Sequence, residues 1–312
     1  MGRGFESLLR HQFPGPSGAG GTPPDRLARI MLFRLISRLP LPLLYALFGL
    51  LAWILRVTRW RRNLVDDGLR RCLPEKSVAE RATLARDFYS GVGRLVAEIL
   101  FGSRISIGEL EDRLRFENDH VVRDALARGR KVLLVAGHHC NWEWLLLEVS
   151  RRFGVPLTAP YKRISLDSAD RWARATRSRF GATMVVAREI GPYLVARRRQ
   201  VQLLAMLADQ SPSRSNEGQV WLSFFGQETA FFQGPGWIGA RLNFEPIFIA
   251  MRPDGRGRYV ARFVPLGAPG ERMDADQILR AYVDALEQSI REHPALYFWA
   301  YNRWKGPRPA DG

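Results

Sequence analysis

After residue 118 the chain alternates short apolar runs with amphipathic stretches, and this alternation restricts its fold more than any other feature. Val132–Ala136, Leu157–Tyr161, Thr183–Ala187, Val201–Leu207, Val220–Phe225, Phe244–Met251 and Tyr259–Pro265 are short apolar runs and read as strands. Around and between them, 119–128, 141–153, 168–180, 190–199, 234–242 and 275–292 read as helices. Strands alternating with helices specify an α/β domain, a mixed and largely parallel sheet flanked by helices on both faces. Upstream, residues 63–118 lack β-branched runs, while Leu84, Phe88, Val92, Leu95, Val96 and Ile99 recur at helical spacing. Two or three helices therefore precede the sheet. No internal repeat is present.

From Leu39 to Leu55 no residue is charged, and arginines flank the run, Arg34 and Arg38 before it and Arg56, Arg59, Arg61 and Arg62 after. A spanning helix needs about 20 apolar residues, with a lower limit of about 17, so the run is borderline for a full span. No small-residue cleavage site succeeds it, and the arginine cluster would stop transfer. The run reads as an uncleaved N-terminal hydrophobic anchor helix, and its basic C-terminal flank places the downstream chain in the cytoplasm. Residues 11–25 have neither helical nor strand period and read as disordered. Gly4-Phe5-Glu6-Ser7 is what one frame of a transfer-RNA T-arm spells, which makes Met31 the natural start. The expected organisation is a disordered or extraneous extension over 1–30, an anchor over 31–62, a helical segment over 63–118 and an α/β core over 119–312.

Lys and Arg number 47 against 31 Asp and Glu, a net charge of +16, and lysine occurs only at positions 76, 131, 162 and 305. An arginine surface attracts phosphates on nucleic acid, on anionic lipid, or the charge of an acidic carrier protein. The nucleic-acid option lacks a helix-turn-helix, an RNP sequence or zinc-ligand spacing. Cys72 and Cys140 are the only cysteines, too few for a disulfide framework, which fits a reducing compartment.

The sharpest chemical signal is Val135-Ala136-Gly137-His138-His139-Cys140-Asn141-Trp142-Glu143-Trp144, where a strand gives way to a helix. Asn141 is a good N-cap, which puts Glu143 in the first turn, where the helix dipole favours its carboxylate. From there Glu143 can point back toward His138. A neutral His138 would take the proton of a hydroxyl attacking a thioester, with Glu143 holding the ring. His139 would then face away. A zinc site from His138, His139, Cys140 and Glu143 would need diverging side chains to converge, and no zincin spacing is present. Cys140 as a nucleophile competes with Cys140 as a buried, inert thiol. A serine esterase is disfavoured because there is no Gly-x-Ser-x-Gly elbow.

Other positions carry two readings each. Asp209 ends an apolar strand before Gln210-Ser211-Pro212, so it is a strand-end site carboxylate or a turn cap. Lys162, Arg163, Arg171, Arg174, Arg177 and Arg179 form a basic stretch. Within it Arg171, Arg174 and Arg177 are expected on one exposed helix face, for phosphates or for solvent. Phe224, Phe225, Phe231, Phe232 and Trp237 line an acyl channel or pack in the core. Trp299, Tyr301 and Trp304, beside Arg303 and Lys305, sit at a membrane interface or pack internally.

With these residues in view, a resemblance is evident. Gly137-His138-His139-Cys140-Asn141-Trp142-Glu143 resembles the His-x4-Glu motif of the bacterial lipid A biosynthesis (late) acyltransferases, of the lysophospholipid acyltransferase superfamily. Ala159-Pro160-Tyr161-Lys162 is similar to their Tyr-Arg-Pro segment, and Ala208-Asp209-Gln210 to their Asp-containing strand end. Trp221-Leu222-Ser223-Phe224-Phe225-Gly226 resembles their Val-Pro-Phe-Phe-Gly stretch, and Tyr297-Phe298-Trp299-Ala300-Tyr301-Asn302-Arg303-Trp304-Lys305 their C-terminal motif. The likeness covers about residues 31–306.

The resemblance implies a glycerolipid-acyltransferase-like fold with one catalytic domain over 63–312. It implies transfer of a fatty acyl chain from acyl carrier protein to a hydroxyl of a lipid A precursor, without metal or nucleotide cofactor. His138 would be the general base supported by Glu143. Arg177, Asp209, Lys162 and Asn141 would serve substrate binding, with Arg177 matching a family arginine. The implied location is the bacterial inner membrane, with the catalytic domain on its cytoplasmic face and no nucleic-acid partner. Arg163 replaces the Pro of Tyr-Arg-Pro, and Asn302 stands where a basic residue or histidine is common. Superfamily relatives acylate other polar lipids and pigments, so these departures bear on the acceptor.

Overall fold

A computed structural model describes residues 36–212 and 218–304, so the expected extension over 1–30 lies outside the described residues. The described chain begins with four helices: α1 (Leu41–Val57), α2 (Arg62–Cys72), α3 (Val78–Gly102) and α4 (Ile107–Arg113). Strands β1 (Leu114–Phe116), β2 (Lys131–Ala136), β3 (Leu157–Tyr161), β4 (Thr183–Val186) and β5 (Leu203–Leu207) then alternate with helices α5 (His120–Ala127), α6 (Trp142–Arg152), α7 (Asp167–Arg177) and α8 (Ile190–Ala196). A hairpin of β6 (Gln219–Phe224) and β7 (Gln227–Phe232) leads into α9 (Gly234–Leu242), β8 (Phe244–Pro253), β9 (Tyr259–Pro265) and α10 (Ala275–Glu292).

Seven strands form one sheet in the order β1-β9-β8-β2-β5-β3-β4. Every neighbouring pair is parallel except β8 with β9. The fold is therefore the mixed, mostly parallel α/β arrangement that the alternation predicts. Successive side chains of a strand point to opposite faces. On β2, Val132, Leu134 and Ala136 join Val122 and Ala125 of α5 and Leu145 and Val149 of α6 in one core. Leu133 and Val135 join Leu279, Tyr282, Val283 and Leu286 of α10 in another. With both faces covered, the central strands must be apolar at every position, which is why β2 reads as an unbroken run. Each fully buried Leu or Val contributes roughly 1.5–3 kcal/mol.

A third cluster ties the N-terminal helices to the sheet layer through Leu41, Leu44 and Tyr45 of α1, Ala97 and Phe101 of α3, and Trp144 and Leu147 of α6. Helices α1 and α3 approach closely at Gly93, where a Cβ would lie 2.4 Å from the Phe48 carbonyl oxygen. The opposite face of α1 exposes Leu43, Leu47, Leu50, Trp53, Ile54 and Val57. Among the described residues no single helix is long and apolar enough to cross a membrane; α1 and α2 meet the test only as a pair bent by 83°. The hydrophobic run thus forms a helix with one face committed to the protein body.

Two strands were not legible, β1 and β7, whereas β6 falls on the expected Val220–Phe225 run. β1 is only three residues long and lies within the stretch read as helical, where it forms the edge of the sheet. The β6–β7 hairpin turns on Phe225 and Gly226, at φ 52° and 69°. That left-handed pair is usually signalled by Asn-Gly, not Phe-Gly. Phe224, Phe225 and Phe231 are buried in the core, while Phe232 and Trp237 are exposed. At the C-terminal end Trp299 and Arg303 are buried, and the Trp304 indole N–H donates to Thr229 Oγ1 at 3.0 Å. This segment packs against the core.

Candidate active site

Strands β2 and β5 are parallel neighbours with Ala136 opposite Leu207. Both chains leave the sheet at the same edge, so His138 and Asp209, each two residues further on, stand side by side. The Ala208 N–H donates to the Ala136 carbonyl at 3.1 Å, extending the pairing one step. Asp209 then receives two bonds from His138. The His138 backbone N–H donates to Oδ2 at 2.9 Å, and ring Nδ1 lies 2.6 Å from Oδ1. A Cβ at 137 would sit 2.5 Å from Leu286 Cδ1, so the glycine lets this loop pass without displacing that buried side chain.

Asp209 and His138 are 2% and 5% exposed. Burial by itself would raise the Asp209 carboxyl, but the adjoining His138 ring and its hydrogen bonds outweigh it and hold the group below the usual carboxylate range. A carboxylate on Nδ1 fixes the imidazole tautomer with its proton there and leaves the Nε2 lone pair available. The Gln210 amide nitrogen lies 3.4 Å from Nε2. The Trp142 ring meets His138 edge-on at 4.9 Å between centroids and restricts ring rotation.

Beyond His138 the backbone turns through Cys140 at φ 53°. Asn141 caps α6 as its position predicts, its Oδ1 accepting the Trp144 N–H at 3.0 Å. Glu143 does fall in the first turn. It does not hold His138, however. Its carboxylate accepts from Arg177 Nε at 3.0 Å and Nη2 at 3.1 Å, a two-pronged pair in which both residues are buried. The expected Glu143–His138 contact is thus replaced by Asp209–His138 and Glu143–Arg177. The reason is the location of α7: the first turn of α6 faces Arg177 at that helix's last turn, while Asp209 already occupies Nδ1.

Arg177 is also not on the solvated face expected for it. Six residues of α-helix rotate by a net of about 120°, so Arg177 leaves the side carrying Arg171. Arg171 and Arg174 are exposed, and the Arg174 guanidinium lies 5.7 Å from the Tyr161 ring centroid. Lys162 is exposed just beyond β3. The structure therefore brings together His138, Asp209 and Gln210 in one group and Glu143 with Arg177 in a second, and places Lys162 in neither.

The competing chemistries lose their geometric basis. His139 turns away, its Nε2 3.0 Å from the His293 carbonyl oxygen and its Nδ1 3.2 Å from Ser289 Oγ, and burial lowers its pKa to about 4. The Cys140 thiol donates to the Met251 carbonyl at 3.2 Å, and burial pushes its pKa up. His138, His139, Cys140 and Glu143 thus point to four different partners and do not converge on an ion.

Two further residues, Glu98 and the C-terminal Arg303, brace the site. Glu98 of α3 is fully buried and accepts a 2.7 Å hydrogen bond from Asn141 Nδ2. Its signal in the sequence is modest: it is the one charged residue between Leu95 and Phe101. Arg303 Nη1 donates to Ser211 Oγ at 3.0 Å and to the Ala230 carbonyl at 2.7 Å, bracing the loop after Asp209. A family model described as bacterial lipid A biosynthesis acyltransferase matches residues 26–306. No curated protein matches the chain.

Proposed function

Because the chain belongs to the bacterial lipid A biosynthesis acyltransferase family, we propose that it moves a fatty acyl chain from acyl carrier protein onto a hydroxyl of a lipid A precursor or related glycolipid. The observation that carries this reading is the 2.6 Å contact between His138 Nδ1 and Asp209 Oδ1, which leaves Nε2 as a proton acceptor. His138 Nε2 takes the acceptor hydroxyl proton as the oxygen attacks the thioester carbonyl. A carbon–oxygen bond forms. The tetrahedral adduct then expels the carrier thiolate as the carbon–sulfur bond breaks, and the imidazolium returns its proton to that sulfur.

Asp209 orients the ring and stabilises the imidazolium. Glu143 acts at one remove, holding Arg177 against the first turn of α6. Lys162 and the exposed Arg171 and Arg174 supply the phosphate- or carrier-facing surface. The apolar stripe of α1, with Arg56, Arg59 and Arg62 nearby, supports work at the cytoplasmic face of the inner membrane. Arg163 and Asn302 depart from the family pattern, which favours testing acceptors beyond lipid A.

The test is acyl transfer by the purified protein, with acyl carrier protein thioester and vesicles bearing either a lipid A precursor or another polar lipid. Mass spectrometry should show the mass of one acyl chain added to one lipid class. Thioester consumption that releases only free fatty acid, with every acceptor unchanged, would contradict the proposal.

A further inference from the structure

Glu98 is fully buried, yet its carboxyl group is bonded from three directions. Oε1 accepts the Tyr45 hydroxyl at 2.8 Å, and Oε2 accepts the Tyr259 hydroxyl and Asn141 Nδ2, both at 2.7 Å. Its backbone carbonyl accepts the Trp144 indole N–H at 2.9 Å. Helix α1, strand β9 and the start of α6 thus meet on one residue of α3. An isolated buried carboxylate costs several kcal/mol unless hydrogen bonds satisfy it, so a chain needing only stability would do as well with an apolar side chain here.

What the carboxylate does is visible at Asn141. The Oδ1 of this carboxamide accepts the Trp144 N–H and its Nδ2 donates to Glu98 Oε2. Without an acceptor at the nitrogen, the side chain loses the contact that selects this orientation, and the cap on α6 loosens. The cap lies three residues after His138 and two before Glu143, across the left-handed turn at Cys140. A shift of about 1 Å in such a turn can cost about 10²-fold in rate.

We infer that Glu98 is a positioning residue for acyl transfer: its carboxylate fixes the Asn141 carboxamide, and through it the placement of His138 and Glu143. Tyr45 ties helix α1 to the same anchor. The inference rests on the proposed role of His138, but no atom of Glu98 needs to meet substrate.

A polarity swap tests it. Asn141→Asp sets two carboxylates face to face, and Glu98→Leu leaves the Asn141 nitrogen without its acceptor, whereas Glu98→Gln keeps an oxygen that can still accept from it. Asn141→Asp and Glu98→Leu should each lose about 10²-fold in kcat with KM little changed. In the Asn141→Asp with Glu98→Gln double variant the amide introduced on α3 can donate to the carboxylate introduced at the cap, and that carboxylate still accepts the Trp144 N–H. Its kcat should therefore recover to within a few-fold of wild type. Asn141→Ser keeps a capping oxygen but cannot reach Glu98, so it should stay folded by urea unfolding and still lose turnover. A wild-type kcat for Asn141→Ser and Glu98→Leu, or a folded Asn141→Asp with Glu98→Gln double variant no better than Asn141→Asp alone, would overturn the positioning role. His138→Ala in the same assay separates the two readings. Wild-type turnover there overturns the proposed base and the role of Glu98 with it, whereas a dead His138→Ala beside fully active Glu98→Leu and Asn141→Ser overturns the positioning role alone.

Discussion

His138 and Asp209 occupy equivalent steps beyond two neighbouring parallel strands, and the 2.6 Å between Nδ1 and Oδ1 follows from that shared register. Crevices at the carboxyl ends of parallel strands are the usual place for ligands in open α/β sheets. Here the register also delivers a backbone contact, His138 N–H to Asp209 Oδ2 at 2.9 Å, so the carboxylate grips loop and ring together. Loss of Asp209 should therefore disturb the ring's tautomer and its position at once.

Arg177 is expected to matter for stability as well as for turnover. Removing one partner of a buried ion pair leaves an uncompensated charge and costs about 3–5 kcal/mol. Arg177→Ala and Glu143→Ala should each lower the urea midpoint, whereas Glu143→Leu with Arg177→Met should regain most of the stability while remaining impaired in acyl transfer. Unchanged midpoints in the single variants would mean that the pair is solvated.

His139 predicts acid sensitivity of the fold. Burial lowers its pKa to about 4 from an ordinary value of 6.5, so the unfolded chain binds the extra proton between those values. Stability is then complete above about 6.5 and declines as pH falls through this window, by on the order of 3 kcal/mol in total. The depressed Asp209 carboxyl adds its own loss at more acid pH. Urea midpoints measured from pH 7 down to about 4 should fall less steeply in His139→Gln than in wild type. Parallel profiles would remove His139 as the source.

The exposed face of α1 predicts membrane attachment that salt does not reverse. Leu47 and Leu50 are exposed, so serine at both should leave the fold intact. Each leucine buried in lipid contributes roughly 1.5–3 kcal/mol, so the double variant should bind anionic vesicles about 10²-fold or more less tightly. Release of the wild-type protein by concentrated salt or carbonate would show that arginine contacts alone hold it.

Local structure was largely legible in the sequence, and pairing was not. β3, β9, α9 and α10 lie where the apolar pattern predicts; β3 is buried along almost its whole length, and α10 carries the reciprocal Asp274–Gln277 cap. Asn141 was readable as a cap for the same local reason. The partner of His138 was not readable, since it depends on β2 lying beside β5, 71 positions of sequence separating the two residues. Proximity along the chain favoured Glu143, and tertiary geometry gave that carboxylate to Arg177 instead. Glu98 was missed because a single acid in an apolar helix identifies no partner until α1, β9 and α6 are assembled around it.

If His138 and Asp209 act as one proton-transfer unit, a double-mutant cycle on kcat reveals it most directly. His138→Ala should lower kcat by on the order of 10²–10⁴-fold, and Asp209→Ala by a comparable factor. Groups that act as a unit do not add. The double variant should therefore be only slightly slower than His138→Ala alone, with urea unfolding confirming that all three variants are folded. Losses that multiply in the double variant, or an Asp209→Ala enzyme with wild-type kcat, would contradict a shared role for the two residues.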